Sequence, residues 1–99
     1  MSDKNERAVL VTTAHRGVFF GYCEDPDALI AAGTGALSRA RNCVYWPVEN
    51  HGFLGLAADG PKKGARVGPA ADIRLRDIVS VSDCSPAAVD AWEAGLWSR

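Results

Sequence analysis

The sequence predicts a mainly β protein of the α+β class: a small antiparallel β-barrel or roll with a short middle helix and a C-terminal helix packed on it. Three observations lead to this fold class. Stretches rich in β-branched residues alternate with turns rich in Gly and Pro. A Ser-Pro pair near the end begins an apolar pattern with helical spacing. The 99 residues, 47% hydrophobic and 23% charged, have the composition of one globular domain.

The first two strands form a predicted hairpin. Residues 8–13 are rich in β-branched side chains, and residues 17–22 form a second apolar stretch. The turn between them, residues 14–17, ends on a glycine, which can adopt positive φ.

Two interpretations remain open for residues 27–35. Asp27 can cap a short helix, Ala28–Ala32, that ends at Gly33. The same segment can equally be a long loop inserted between two strands, because its glycines suit a flexible connection.

The next predicted strand, residues 37–46, has an unusual alternation. Apolar Cys43 and Tyr45 fall on one side of the strand, and Arg39 and Arg41 fall on the same side. Either a β-bulge shifts the alternation, or the two guanidinium groups lie at the edge of a pocket.

Shorter elements complete the chain after Pro47. Phe53–Ala58 is an apolar segment of one or two helical turns, and residues 73–81 indicate one or two strands interrupted at Asp77. The final helix begins with Ser85 as its N-cap and proline at its first position. Its apolar stripe consists of Val89, Trp92 and Leu96.

Composition also bears on location. Residues 1–7 are polar and are expected to form a flexible N-terminus, with residues 8–99 as a single domain. No apolar run resembles a signal-peptide core or is long enough to span a membrane. Cys23, Cys43 and Cys84 are odd in number and lack paired spacing, which indicates reduced thiols. We therefore expect a cytoplasmic protein with no membrane partner.

Two features favour a homo-oligomer. A chain of this length buries only a thin core, and association is a common way for small domains to gain stability. Trp97, close to the C-terminus, is expected to cover a neighbouring subunit, because an exposed tryptophan often marks an interface.

The formal charge of −1 conceals an uneven distribution. Residues 39–76 hold seven basic and three acidic residues, whereas the segments on either side are net acidic. The acidic ends disfavour a broad nucleic-acid surface but are compatible with a focused anion pocket. The basic residues of this centre are Arg39, Arg41, Lys62, Lys63, Arg66, Arg74 and Arg76.

Residues 60–69 are a candidate phosphate-binding loop. Their glycines allow backbone N–H groups to converge, while Lys62, Lys63 and Arg66 supply positive charge. The glycine spacing is not that of a Walker loop, and no Ser or Thr follows. The alternative is a β-turn loop that needs Gly and Pro for geometry alone, and we favour it slightly.

Three aromatic residues beside this basic centre can stack on a base. They are Tyr45, Trp46 and Phe53, and the alternative for each is a place in the core. That alternative is stronger for Tyr45 than for Trp46, which precedes the proline that ends the strand.

Catalytic and metal-binding signals are weak. His51 is a loop histidine, and nothing in the spacing of Cys43 or Asp59 recommends either as its partner. His15, His51 and the cysteines lack paired-ligand spacing. We therefore predict no catalytic residue, no metal site and no cofactor.

Three strings resemble a family of uncharacterised small proteins that occur mostly in tailed bacteriophages and prophages. They are Arg16–Gly21, Ala40–Trp46 and Gly55–Pro61. The pattern in that family is an RGxxFG hairpin, an ARNxxYW strand and a GLxxLAxxGP turn before a closing strand. The resemblance covers residues 8–92. It implies a compact β fold and a viral setting in a bacterial host cell, but no established reaction.

The chain is also similar, more distantly, to phage proteins of the Thoeris anti-defence kind, small oligomers that sequester nucleotide-derived immune signals. This similarity implies a non-enzymatic binder of a cyclic nucleotide or cyclic ADP-ribose, with arginines and aromatic residues clamping it at a subunit interface. The alternative is a small-barrel module that binds nucleic acid or a host or phage protein. From their side-chain chemistry, the predicted ligand-binding residues are Arg16, Arg39, Arg41, Tyr45, Trp46, Phe53, Lys62, Lys63 and Arg66.

Overall fold

Six strands and three α-helices make up the protein in a computed structural model that describes residues 6–14 and 17–95. The elements in chain order are β1 (Arg7–Thr13), β2 (Val18–Cys23), α1 (Pro26–Ala32), β3 (Thr34–Tyr45), a 3₁₀ turn (Val48–Asn50), α2 (Phe53–Ala58), β4 (Arg66–Val67), β5 (Ala71–Arg76), β6 (Ile78–Asp83) and α3 (Pro86–Ala94). The predicted mainly β, α+β class is confirmed, and so are the middle and C-terminal helices.

The strands form one antiparallel sheet in the order β4-β3-β2-β1-β6, and β5 pairs with the first half of β3. The barrel alternative is wrong, because the pairings among the described residues leave the sheet open. The strands β5 and β6 are consecutive in the chain but lie on opposite edges of the sheet, joined by Asp77. The N–H of Ala14 donates to the Asp77 carbonyl at 2.9 Å, and the N–H of Ile78 donates to the Gly33 carbonyl at 3.0 Å. Through the bend at Asp77 the chain thus passes directly from β5 to β6, although these two strands do not pair with each other.

Asp77 adopts the left-handed conformation, with φ of 59°. We expect Asp77→Ala to lower the free energy of unfolding by about 1 kcal/mol, because alanine lacks the short polar side chain that helps Asp tolerate this region. Asp77→Gly is expected to stay within about 0.5 kcal/mol of the wild type, because glycine has no Cβ but gains entropy in the unfolded chain. Urea unfolding of the two variants measures the difference. Equal stabilities would show that the bend does not depend on backbone conformation.

The β-bulge interpretation of β3 is confirmed. Leu37, Ala40 and Cys43 are buried at intervals of three residues, where a regular strand would bury every second residue. The register shifts between Leu37 and Ala40, and again between Cys43 and Tyr45. Arg39 lies in the first irregularity with φ of 50°, and its backbone N–H donates to Asp72 Oδ1 at 2.9 Å. The bulges therefore remove the conflict between the arginines and the apolar side of β3.

Helix caps explain the local limits of α1 and α3. Of the two interpretations for residues 27–35, the helix is right, but its cap is Asp25, whose Oδ1 accepts from the Ala28 N–H at 3.1 Å. Gly33 ends α1 in the left-handed conformation with φ of 72°. The predicted cap of α3 is confirmed, because Ser85 Oγ accepts from the Ala88 N–H at 3.0 Å.

Side chains on both faces of the sheet are buried, and each face has its own core. Val9 and Val11 of β1 point to one face and Leu10 to the other, and all three are fully buried. The core beside α2 and α3 consists of Leu10, Val18, Phe20, Cys43, Leu56, Ala57, Ala88 and Trp92. The opposite core, beside α1, consists of Val9, Val11, Leu29, Leu37, Ala40, Leu75 and Ile78. This burial on two sides accounts for the continuous apolar run of β1.

Candidate functional site

An open cleft of about 430 Å³ lies where the end of β3 pairs with β4. Its lining residues are Val44, Tyr45, Gly64 and Arg66. Tyr45 and Arg66 are direct partners in the β3–β4 register, and both side chains are exposed. An aromatic ring and a guanidinium group therefore lie side by side in this cleft, which contains no carboxylate among its lining residues.

Backbone hydrogen bonds define the loop that carries Arg66. The N–H of Ala65 donates to the Lys62 carbonyl at 3.0 Å, which closes a turn, and Gly64 within it has φ of 101°. The N–H of Gly68 donates to the Asn42 carbonyl at 2.9 Å, which holds the other end against β3. Because these N–H groups donate within the protein, the geometry favours a β-turn loop over a backbone phosphate cradle.

Asn50, a residue that the sequence analysis did not single out, anchors this loop. Its side chain is 1% exposed, donates to the Gly60 carbonyl at 2.8 Å and accepts from the Lys62 N–H at 3.1 Å. Both ends of the amide are thus satisfied by backbone atoms of one loop. No sequence pattern reveals this role, since the partners lie ten and twelve residues away.

The other aromatic candidates differ in exposure. Tyr45 is 53% exposed, whereas Trp46 is half-buried and packs against the core beside α2 and α3. The expectation that Tyr45 is the more buried of the two is therefore wrong, because the second bulge of β3 precedes Tyr45 and changes its direction. Phe53 is 36% exposed at the start of α2.

Arg39 lies outside the cleft and has partners of its own. Its Nη2 donates to Glu6 Oε1 at 2.6 Å, and its guanidinium carbon is 4.2 Å from the centre of the Tyr22 ring. The Tyr22 hydroxyl donates to the Glu93 carboxylate. Burial, together with this hydrogen bond, raises the pKa of Tyr22 above its usual value. Arg39 therefore contacts Glu6 and the Tyr22 ring, and the structure does not bring it to Arg66.

Arg41 contacts the chain just after β4. Its Nη1 donates to the Gly68 carbonyl at 3.3 Å, two residues beyond Arg66. Lys62 and Lys63 are exposed on the turn before β4. Arg16 lies outside the described residues.

A second open cleft, of about 470 Å³, lies over β3 and β5. Asp72 and Arg74 both line it, so opposite charges offset each other there. The cleft at Tyr45 and Arg66 is therefore the better anion site, although it is slightly smaller. The residues that line the second cleft are Ala36, Leu37, Ser38, Asp72, Ile73 and Arg74.

The thiols are poorly suited to nucleophilic chemistry. Cys23, Cys43 and Cys84 are all free. Burial raises the pKa of the Cys43 thiol to about 11, and a hydrogen bond with the Tyr45 backbone only partly opposes this. Burial likewise raises the pKa of Cys84 to about 12. Such thiols stay protonated near neutral pH, whereas the thiolate is the nucleophile.

No group of three or more His, Cys, Asp or Glu side chains in the described ranges is arranged to hold a metal ion. Within residues 6–14 and 17–95, the helices are too short or too polar to cross a bilayer.

Sequence comparison links the chain to one protein family. Residues 6–92 match the profile of a family described as a domain of unknown function, DUF6948. The matched segment contains the sheet and both residues of the Tyr45–Arg66 pair. No curated protein and no solved structure matches significantly.

Proposed function

The chain belongs to the DUF6948 family of uncharacterised domains, and we propose that it binds a small phosphate-bearing ligand at the Tyr45–Arg66 cleft without transforming it. The observation that supports this function is the register of β3 and β4, in which Tyr45 is the direct partner of Arg66. The two side chains lie in one open cleft whose lining carries no carboxylate or imidazole. The lining thus offers an aromatic ring and a cation for ligand recognition.

The chemistry of the pair fits a nucleotide-like ligand. A guanidinium group binds phosphate through two parallel hydrogen bonds, a geometry that lysine cannot reproduce. The Tyr45 ring can stack on a base, a contact that contributes about 1–3 kcal/mol per base in single-stranded nucleic-acid binding. Lys62 and Lys63 on the adjoining turn raise the local positive potential.

The proposal extends to a biological role. In view of the resemblance to bacteriophage and prophage proteins, we propose that the ligand is a cyclic nucleotide or cyclic ADP-ribose. Binding without turnover would lower the free concentration of such an immune signal. The protein would then act in the cytoplasm of the bacterial host, as a homo-oligomer.

The test is calorimetric titration and thermal unfolding with a set of cyclic nucleotides and cyclic ADP-ribose. At least one ligand is expected to raise the Tm, because a ligand that binds only the folded state stabilises it. Arg66→Ala is expected to weaken binding by about 10-fold to 150-fold, the loss of about 1.5–3 kcal/mol for hydrogen bonds to a charged group. Arg66→Lys should recover only part of the affinity.

Arg74→Ala is the matched control, because Arg74 is another exposed arginine of the same sheet but lies outside the cleft. It is expected to bind the ligand like the wild type. The proposal fails if no ligand changes the Tm, or if Arg66→Ala binds as tightly as Arg74→Ala.

A further inference from the structure

The strand β4 is too short to be stable by its own pairing. It consists of Arg66 and Val67 alone, and its register with β3 shifts between Cys43 and Tyr45. Even a complete two-stranded hairpin is only marginally stable in water, and an irregular pairing of this length is weaker. The position of Arg66 beside Tyr45 therefore depends on contacts made by the loop that carries β4. We call this loop, residues 60–68, the β4 loop.

The start of the β4 loop is fixed in the core. The buried Asn50 amide binds the Gly60 carbonyl and the Lys62 N–H. The N–H of Gly60 donates to the Leu56 carbonyl at 3.1 Å, so α2 holds the same residue. A Cβ at Gly60 would lie 2.5 Å from the Ala91 Cβ, which places this backbone directly against α3. Asn50 and two helices therefore fix the start of the loop.

Arg41 fixes the end of the β4 loop. Its Nη1 donates to the Gly68 carbonyl at 3.3 Å, and the Gly68 N–H donates to the Asn42 carbonyl at 2.9 Å. Both backbone groups of Gly68 are therefore bound to neighbouring residues of β3. Arg41 is half-buried, whereas Arg66 is exposed. The two arginines thus differ in their contacts: Arg41 binds the backbone of the loop, and Arg66 lines the open cleft.

We infer that Arg41 and Asn50 are positioning residues for the ligand site, which hold Arg66 beside Tyr45 and do not contact the ligand. The inference rests on the function proposed above, because it concerns the same cleft. Tyr45 and Arg66 line that cleft, whereas Arg41 and Asn50 are not among its described lining residues. Ordering a loop on binding costs conformational entropy, and a loop that is fixed beforehand avoids this cost. The two residues therefore raise the affinity through the rigidity of the β4 loop.

Hydrogen exchange of the ligand-free protein, followed by NMR, tests the rigidity of the β4 loop by itself. The amides to follow are those of Ala65 and Gly68, which donate within the protein. Arg41→Met keeps a long side chain but removes the donor, so we expect the Gly68 amide to exchange about tenfold faster. Asn50→Ala is expected to accelerate exchange at Ala65 by a similar factor. Arg66→Ala is expected to leave both amides unchanged, because the exposed Arg66 side chain lines the cleft.

Titration separates positioning from direct contact with the ligand. The probes are the cyclic nucleotides and cyclic ADP-ribose of the preceding section, at low and high salt. Arg41→Met is expected to raise the dissociation constant about threefold to tenfold, the cost of ordering the loop on binding. Its salt dependence should match the wild type, whereas Arg66→Ala should weaken the salt dependence, because it removes a charge at the ligand. Arg41→Lys keeps a donor and is expected to recover part of both the affinity and the protection of Gly68.

Arg74→Ala, outside the cleft and the β4 loop, is the control and is expected to match the wild type in exchange and affinity. Thermal unfolding checks that each variant is folded; if Asn50→Ala is not, the half-buried position of Arg41 carries the test.

The outcomes distinguish this inference from the function on which it rests. If no probe binds the wild type, the proposed function is wrong and the positioning role is wrong with it. If Arg66→Ala weakens binding but Arg41→Met binds like the wild type, the positioning role alone is overturned. It is equally overturned if Arg41→Met binds more weakly while the Gly68 amide exchanges as in the wild type, since Arg41 then contacts the ligand directly.

Discussion

Replacing Trp92 with alanine is expected to lower the free energy of unfolding by about 3–5 kcal/mol. The Trp92 side chain is fully buried, and its ring stacks on Phe20 with centroids 4.8 Å apart and planes 8° apart. Its Nε1–H donates to the Leu56 carbonyl at 3.1 Å, which links α3 to α2. Alanine would leave a cavity in the core beside α2 and α3 and would remove one of the hydrogen bonds to the Leu56 carbonyl, which still accepts from the Gly60 N–H. Because the free energy of unfolding of a native protein is about 5–15 kcal/mol, this loss is a large fraction of the total.

Urea unfolding measures this loss as a shift of the midpoint at constant slope. Trp92→Phe is the informative comparison, because it keeps a stacked ring but removes the indole N–H, and we expect it to lose about 1–3 kcal/mol. If the free energy of unfolding of Trp92→Ala lies within about 1 kcal/mol of the wild type, the buried Trp92 ring does not support the core.

Gly55→Ala is expected to destabilise the protein by about 3 kcal/mol or more, the upper end of the cost of overpacking. An alanine Cβ at this position would lie 1.6 Å from the Asn50 carbonyl oxygen and 2.7 Å from its carbon. The 3₁₀ turn and α2 would have to separate, and the Asn50 bonds that anchor the Lys62 loop would be strained. The same substitution in an ordinary helix raises stability by about 1 kcal/mol, so the expected effect has the opposite sign.

Gly33→Ala separates this clash from backbone strain. Nothing lies within 4 Å of a Cβ at Gly33, but its φ is 72°, so only the left-handed penalty of about 1–2 kcal/mol applies. The measurements are the urea midpoint of both variants and the amide chemical shifts of the loop 60–66. A Gly55→Ala variant as stable as the wild type, with unchanged shifts in that loop, contradicts the close approach of α2 to Asn50.

Most secondary structure could be predicted because its causes are local. The β-branched residues of β1, the Ser85 cap of α3 and the left-handed end of α1 at Gly33 are each recognisable within a few residues of sequence. The predicted ends of a strand were wrong where pairing with a distant strand extends it. Thus β3 begins at Thr34 rather than Leu37, because β5 pairs with its first residues.

The kind of chemistry at the candidate site could be predicted from the sequence, but the residues that come together there could not. The sequence identifies a central segment rich in arginine and aromatic residues, and it raises a bulge in β3 as one explanation for Arg39. It does not contain the information that Glu6 pairs with Arg39, because the two are separated by 33 residues. The anchoring role of Asn50 likewise depends on where the loop at Gly60 returns.

By itself, the sequence determined that this protein is a small α+β domain with buried strands, capped helices and positive charge concentrated in the middle of the chain. Only the tertiary structure decided that the sheet stays open and that Arg66, rather than Arg39, lies beside Tyr45. The physical reason is the range of the interactions. Caps, turns and strand preferences act between near neighbours, whereas strand register and ion pairing are decided by contacts between distant segments.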